Sequence, residues 1–317
     1  MKEMVTKPIV LTAIILIFIL IAIVNMDKIK PIQNFSAFDA DYVQYYKKAC
    51  KLKDKDACNE LGDVYQYGKS GAVNYEKAVL FYKQACKLES PAGCNNLGYM
   101  YDNGLGIKKH KWHAIRLYQQ ACKHGEMEGC YNLGSMYYHG EGAKRNYYKA
   151  ANYFKKACNA GIPQACNNLG YMYEHGKHVR RDIQKALSLY YDACDMGEAS
   201  GCNNLGYMYE MGKGVRKDSM KAERYYTAAC NLDDAPSCDR LGAVFGRRVE
   251  RIKSNADLSV AGKACKHNNG TMCYKLGLYH EKNEDDEAAR ELFKKACNLG
   301  QSASCKHLGD LERLTVD

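Results

Sequence analysis

Apolar residues in the segment after residue 92 recur with the spacing of a single helix face. Cys94, Leu97, Gly98 and Tyr101 stand at positions i, i+3, i+4 and i+7, which is the pattern of an amphipathic helix with one buried face. We expect this helix to end at Gly104, because glycine readily takes the left-handed conformation of a helix C-terminus. Equivalent segments end at Gly68, Gly140, Gly176 and Gly212.

A second helix is predicted after each of these glycine loops. It begins at residues whose side chains cap a helix N-terminus, namely Asn74, Asn146, Asp182 and Asp218, or at the weaker cap His110. A glycine also stands inside each first helix, where it costs about 1 kcal/mol relative to alanine. Its recurrence predicts a close approach of two helices at Gly62, Gly98, Gly134, Gly170, Gly206, Gly242, Gly277 and Gly309.

The whole pattern returns every 36 residues, with similar twelve-residue segments starting at Gly93, Gly129, Ala165 and Gly201. Two helices per unit of this length predict an all-α protein, an α/α superhelical solenoid of stacked hairpins. Units are predicted to start at residues 57, 93, 129, 165, 201, 237 and 272, between cap helices at 41–53 and 304–317. The unit at 237 lacks the glycine loop and the N-cap aspartate, and the unit at 272 is four residues short.

Sixteen cysteines follow the same period as eight C-x(7)-C pairs. One cysteine of a pair lies in the last turn of a helix and the other in the first turn of the next, so we expect a disulfide within each pair. The expected bridges are Cys50 with Cys58, Cys86 with Cys94, Cys122 with Cys130, Cys158 with Cys166, Cys194 with Cys202, Cys230 with Cys238, Cys265 with Cys273, and Cys297 with Cys305. A rival pairing, such as Cys94 with Cys122, would leave Cys50 and Cys305 without partners. Each bridge should add roughly 2–3 kcal/mol.

The N-terminal 27 residues are predicted to be a membrane signal-anchor. Residues 8–26 carry no charge and consist mainly of Ile, Leu and Val, and about 19 such residues nearly span a hydrocarbon core. A cleaved signal peptide is the alternative. A polar tether at 28–40 would then lead to the solenoid at 41–317. Since disulfides persist in oxidising compartments, we expect the solenoid on the periplasmic or cell-surface side, or secreted if the segment is cleaved.

The repeated residues resemble a known family. The sequence LGYMYEMGKGV, followed by D-x(3)-A and YY-x(2)-A, resembles the Sel-one-like repeat, a relative of the tetratricopeptide repeat. The 36-residue period with C-x(7)-C pairs resembles the Helicobacter cysteine-rich protein type, and the resemblance covers about residues 41–317. It implies a helical repeat fold and, because some members are described so, a penicillin-binding or weak β-lactamase activity as an alternative function.

A candidate ligand groove lies on the first-helix face opposite the core. Asparagines there could hold an extended peptide backbone, because each offers a donor and an acceptor, and tyrosines give rigid contact area. The candidate residues are Asn96, Asn132, Asn168 and Asn204, then Tyr99, Tyr171 and Tyr207, then Asn103, His139 and His175. A solvated face without a ligand is the alternative, although such faces are usually rich in Lys and Glu.

Paired basic residues recur in the loops between the helices. They are Lys108 and Lys109, Lys144 and Arg145, Arg180 and Arg181, and Arg216 and Lys217. The formal net charge of the 317-residue chain is +10, and a basic edge of this kind suits an anionic envelope polymer, lipid headgroups or an acidic partner. Loop charge that only keeps the protein soluble explains it equally well. Nucleic acid is not expected outside the cytoplasm.

No motif in the chain predicts catalysis. The serine β-lactamase motifs S-x-x-K, S-D-N and K-T-G are absent, as are C-x-x-C and the c-type haem motif. His110 and His113 stand three residues apart, which is a weak metal signal. The sequence therefore predicts an extracytoplasmic module that binds a protein or extended peptide, with no cofactor and no metal. The alternatives are a β-lactam-binding hydrolase and an envelope assembly scaffold.

Overall fold

A computed structural model describes residues 35–69, 71–248, 252 and 254–314, and its regular structure there is helical throughout. The helices are α1 Phe35–Lys51, α2 Lys55–Tyr67, α3 Tyr75–Lys87, α4 Pro91–Asn103, α5 Lys111–Lys123, α6 Met127–His139, α7 Tyr147–Asn159, α8 Pro163–His175, α9 Ile183–Asp195, α10 Ala199–Met211, α11 Ser219–Asn231, α12 Ala235–Arg248, α13 Asn255–Lys266, α14 Gly270–Lys282, α15 Asp286–Asn298 and α16 Ser302–Leu314. Successive helices form the predicted hairpins of an α/α solenoid.

The chain divides into two compact units. One comprises residues 1–93 and 104–108, and the other comprises residues 94–103 and 109–317. Within the first unit, α2 packs between α1 and α3. Within the second, each helix from α5 to α16 packs against the next one in the chain. Each unit buries its own core, because every helix turns its apolar face towards its sequence neighbours.

The predicted helix boundaries are confirmed by their caps. Gly68, Gly140, Gly176 and Gly212 adopt the left-handed conformation at the ends of first helices, with φ between 64° and 76°. At the start of the second helices, the side chains of the predicted caps accept hydrogen bonds from backbone N–H groups three residues on. These caps are Asn74, His110, Asn146, Asp182 and Asp218.

The recurring glycines of the first helices lie against aromatic rings of the second helices, as predicted. A Cβ atom built on Gly170 would lie 2.9 Å from two ring carbons of Tyr190. The same contact joins Gly62 to Tyr82, Gly98 to Tyr118, Gly134 to Phe154, Gly206 to Tyr226 and Gly277 to Phe293. At Gly242 the close neighbour is the side chain of Asn269, the N-cap residue of α14, in place of an aromatic ring. A Cβ atom on Gly309 would meet no atom of the described residues within 4 Å, so the prediction is wrong there.

All sixteen cysteines are disulfide-bonded. In the bridges whose geometry is described, the partners are eight residues apart with Cα–Cα distances of 4.6 to 4.8 Å. These bridges are Cys50 with Cys58, Cys122 with Cys130, Cys158 with Cys166, Cys194 with Cys202, Cys230 with Cys238, Cys265 with Cys273, and Cys297 with Cys305. For Cys86 and Cys94 the structure shows the disulfide-bonded state.

The short turn between two helices explains this pairing. It brings the last turn of one helix beside the first turn of the next, which confirms the predicted eight-residue pairing over the rival one. The rival partner of Cys94, which is Cys122, is bonded to Cys130 instead. Bridges that recur along the array indicate an oxidising, extracytoplasmic environment.

The N-terminal end of the array differs from the prediction. Helix α1 begins at Phe35, so the last six residues of the predicted tether are helical, since residues 35–40 contain no glycine or proline to stop a helix. The irregular units still form hairpins, with Ser254 and Asp285 as the caps of α13 and α15. The predicted anchor at 8–26 lies outside the described residues. Within the described ones, no helix has the length and apolar character needed to cross a membrane.

Candidate functional site

Four first helices carry the predicted ligand residues in one register. They are α4, from Cys94 onward, and α6, α8 and α10. The positions five and nine residues after the cysteine point outward: Tyr99 is 44% exposed and Tyr171 39% exposed, while Tyr207 is half-buried. Asn103, His139 and His175 are exposed as well. These six side chains therefore line an accessible surface, called here the first-helix face.

The predicted asparagines have a different role from the one expected of a ligand ladder. The Asn132 side-chain amide donates a hydrogen bond to Asn95 Oδ1 of the preceding first helix at 3.0 Å. Asn204 donates in the same way to Asn167 Oδ1 at 2.8 Å. The second asparagine of one hairpin thus bonds the first asparagine of the hairpin before it, and the ladder joins neighbouring first helices.

Two substitutions show how this ladder depends on residue type. Tyr131 replaces the first asparagine in α6, and Asn168 of α8 hydrogen-bonds to it there. Arg240 replaces the second asparagine in α12 and turns its guanidinium to the hydroxyl of Tyr226, 3.4 Å away. As a result the Oδ1 atom of Asn203 is buried without a hydrogen-bond partner among the described residues. The ladder therefore ends at α10.

Contacts between residues four apart along one helix order several side chains of this face. The ring of His175 stacks on that of Tyr171 with centroids 4.0 Å apart, and its Nδ1 atom lies 2.9 Å from the Tyr171 carbonyl oxygen. The amide of Asn103 donates to the Tyr99 carbonyl oxygen at 3.0 Å. These side chains sit four residues apart on one helix, so each pair is fixed by its own backbone. Such an arrangement offers flat, pre-oriented contact area.

A buried acid supports the face from beneath, and sequence reasoning missed it. Glu174 is buried and accepts hydrogen bonds from the Tyr190 hydroxyl at 2.8 Å and from Lys213 Nζ at 3.2 Å. Burial, followed by the Glu174 charge, raises the pKa of Tyr190, so that hydroxyl stays a proton donor. Lys213 also lies over the ring of Tyr207, 4.6 Å from its centroid. One lysine thereby links two neighbouring hairpins and positions a tyrosine of the face.

All eight residues of the predicted basic pairs are exposed. Arg181 donates from Nε to the Glu174 carbonyl oxygen at 3.0 Å, and Arg145 lies over the ring of Tyr147 at 5.4 Å. Within the described part of the chain, none of the eight forms a salt bridge. The pairs are therefore unneutralised charges at the loops that precede the second helices.

The histidine pair contributes to the cap of α5. His110 Nδ1 faces the backbone N–H of His113 at 3.4 Å as the helix cap, so one ring nitrogen of the pair is already engaged. The ligand atoms of Cys230, Cys238 and His267 lie within 4.8 Å of one another. The two cysteines are joined in a disulfide, however, and a disulfide sulfur is not the thiolate that binds a metal.

This helical array is similar to a known repeat family and to several solved structures. The family model described as the Sel1 repeat matches residues 43–54, 55–90, 91–126, 128–162, 163–198, 199–234 and 265–301. No curated protein matches the sequence. The solved structure of c5321, a protective antigen of uropathogenic Escherichia coli with an SLR fold, is 25% identical with a TM-score of 0.60. The alignment covers 88% of this chain and 64% of that one, so this chain spans under two thirds of its length.

Two further structures are similar. A Sel1 repeat protein from Oxalobacter formigenes is 29% identical with a TM-score of 0.59, over 76% of this chain and 99% of that one. Cysteine-rich protein B of Helicobacter pylori is 32% identical over 43% of this chain and 97% of that one, with a TM-score of 0.35. The family model accounts for well over half of the sequence, including the units that build the first-helix face. The chain therefore belongs to the Sel1 repeat family.

Proposed function

We propose that the first-helix face binds an extended segment of a partner protein outside the cytoplasm. Sel1 repeats generally mediate contacts between proteins. The observation that supports this face is its composition: Tyr99, Tyr171, Asn103, His139 and His175 are accessible in one register, and none of them is Lys or Glu. A face that needed only hydration would carry those charges, whereas aromatic and amide side chains are typical of recognition surfaces.

The orientation of Tyr171 on this face is fixed by its neighbours, which favours tight binding of a partner for the area in contact. Tyr171 is held against His175 by stacking and by the contact of the histidine with the backbone, so little rotamer freedom is lost when a partner covers it. Rigid aromatic side chains of this kind often supply most of the energy of an interface. One amide hydrogen of Asn132 and one of Asn204 are used between helices, so the proposal rests on the outer row, whose side chains are more exposed.

We further propose that residues 8–26 anchor the array in a membrane. Their uncharged, aliphatic sequence supports this, and the disulfides require the array to lie on the oxidising side. A reporter that works only outside the cytoplasm, fused after Asp317, should be active. The full chain should also resist extraction by high salt, and a soluble form that begins beyond residue 27 would point to a cleaved signal instead.

Site-specific photocrosslinking tests the face. A photoreactive phenylalanine analogue at Tyr171 should capture one defined partner in the envelope, whereas the analogue at Tyr45, an exposed tyrosine of α1, should not. With that partner purified, Tyr171→Ala should weaken binding roughly tenfold to thirtyfold, because truncation of a central aromatic residue costs about 1.4–2 kcal/mol. Tyr45→Ala should leave the affinity unchanged. Equal capture at both positions, or equal affinity of both variants, would reject the face. No observation favours the hydrolase alternative, and we do not propose it.

A further inference from the structure

Large apolar side chains stand exposed at the second position of three second helices in the second unit. Trp112 of α5 is 50% exposed, Tyr148 of α7 66% and Met220 of α11 68%. Gln184 holds the same position in α9. The positions are 36 residues apart in sequence and contribute little to the core. They come three or four residues after the basic pairs, so the hairpins of α5, α7 and α11 present cationic and apolar groups together.

Loop packing brings these groups into one continuous edge. A Cβ atom on Gly142 would lie 2.7 Å from the carbonyl carbon of Lys111, so the loop before α7 lies against the start of α5. The next loop lies against the start of α7, where the ring of His178 is 5.5 Å from that of Tyr147. Gln184 Nε2 donates to the Gly214 carbonyl oxygen at 2.7 Å. Each of these three basic loops therefore lies against the start of the preceding second helix.

The edge is strongly cationic. Segments 140–148, 176–184 and 212–220 carry eight Lys or Arg residues and three acidic ones, a net charge of +5 out of +10 for the chain. The three acids are engaged: Asp182 and Asp218 cap helices, and Glu141 forms a salt bridge with Lys111. The leading residues of the three basic pairs are exposed and form no salt bridge within the described part of the chain. They are Lys144, Arg180 and Arg216.

We propose that this edge docks on the surface of an anionic lipid bilayer. Trp and Tyr rings favour the headgroup region of a membrane, because they are apolar with a polar tip. Each Lys or Arg near an anionic surface strengthens binding about fivefold. Trp112, Tyr148 and Met220 would enter the headgroup layer while the basic side chains meet lipid phosphates. The residues of this edge belong to the loops and to the starts of the second helices, whereas the first-helix face belongs to the first helices. The proposal for the edge therefore does not depend on the function of the first-helix face.

The predicted anchor makes this docking an intramolecular event. Eight residues separate residue 26 from the start of α1 at Phe35, and eight residues span at most about 28 Å. A chain anchored through residues 8–26 would hold the array at a high effective concentration near the bilayer. A weak edge of a few basic residues and three apolar side chains would then be enough to orient it.

Trp112 provides a direct readout, since it is the only tryptophan in the chain. The full-length protein would be placed in nanodiscs of phosphatidylcholine with brominated acyl chains, either alone or with an equal part of phosphatidylglycerol. We expect Trp112 emission to shift to shorter wavelength and to be quenched only in the anionic discs. The triple variant Lys144→Ala, Arg180→Ala, Arg216→Ala should dock roughly a hundredfold more weakly and lose this response.

A matched variant removes the same charge elsewhere. Lys123, Lys155 and Lys266 are exposed near the C-terminal ends of second helices, and their change to alanine should leave quenching intact. Equal emission in neutral and anionic discs, or a triple edge variant that behaves like the wild type, would overturn the proposal. So would a response of Trp112 to soluble polyglutamate but not to anionic lipid, because the partner would then be an acidic polypeptide. If the edge variant fails to fold, undiminished quenching of the wild type at high salt would count equally against it.

Discussion

Replacing Gly62 by alanine tests the close contact that sets the distance between the two helices of a hairpin. An added Cβ would lie well inside van der Waals contact of Cε1 and Cδ1 of Tyr82. The ring cannot move away freely, because the Tyr82 hydroxyl donates to Asp63 Oδ1 at 2.6 Å and lies 2.8 Å from Gln66 Oε1. Overpacking of this kind costs about 1–3 kcal/mol, against an intrinsic helix gain of about 1 kcal/mol for alanine.

Gly262 supplies the matched control. It lies inside α13, and its added Cβ would meet no atom of the described residues within 4 Å, so Gly262→Ala should gain up to about 1 kcal/mol from helix propensity alone. The difference between the two variants isolates the packing cost of about 1–3 kcal/mol. Guanidinium unfolding followed by circular dichroism measures it, and hydrogen exchange should show lower protection in α2 and α3 for Gly62→Ala. A Gly62→Ala protein as stable as the Gly262→Ala protein would refute the close-contact argument.

Three further outcomes can be checked. Peptide mapping should recover only disulfides between cysteines eight residues apart, and a Cys58–Cys86 peptide would contradict the hairpin geometry; reduction should destabilise by about 2–3 kcal/mol per bridge. His178 has a φ of 54° at a position where the equivalent loops have glycine. His178→Gly should therefore raise the melting temperature. A lower melting temperature would mean that the contact of the His178 ring with Tyr147 stabilises the fold more than the strained backbone destabilises it. Hydrogen bonding to Glu128, and then burial, raise the pKa of Glu126 to about 7. The folded chain thus keeps a proton that the unfolded chain releases near pH 4.5, so stability should fall from pH 4.5 to 7; Glu126→Gln should remove this fall, and an unchanged pH profile would exclude the carboxyl pair as its cause.

Local signals made most of the fold predictable from sequence. A glycine in the left-handed conformation, an Asn or Asp cap and two cysteines eight residues apart each act within a few residues, so their outcome hardly depends on the rest of the chain. The close approach at Gly170 was predictable for the same reason, because a repeated glycine inside a helix needs a compensating contact. The start of α1 was less predictable, since no residue between Phe35 and Asp41 marks a helix boundary.

The hydrogen-bond partners of the asparagines could not be predicted from local sequence. Asn132 and its partner Asn95 are 37 residues apart, and the sequence gives both residues but not the side-chain direction that decides between a ligand and a neighbouring helix. Burial adds to the difficulty, because the position two residues after the cysteine borders the core while the positions five and nine after it do not. Tyr99 and Tyr171 are accessible, and their role in binding stays a prediction.

The end of the asparagine ladder bounds the proposed binding surface. Asn203 Oδ1 is left without a partner among the described residues because Arg240 occupies the place of the next donor. The guanidinium of Arg240 lies over the ring of Tyr207 at 5.3 Å, and Lys213 covers the same ring at 4.6 Å. Two cations therefore close the aromatic row at α10, whereas no cation of the described residues lies over the ring of Tyr99 or Tyr171. A partner segment on the first-helix face would meet neutral, exposed rings along α4 to α8 and a positive charge at α10, which favours an acidic residue or a chain carboxylate at that end.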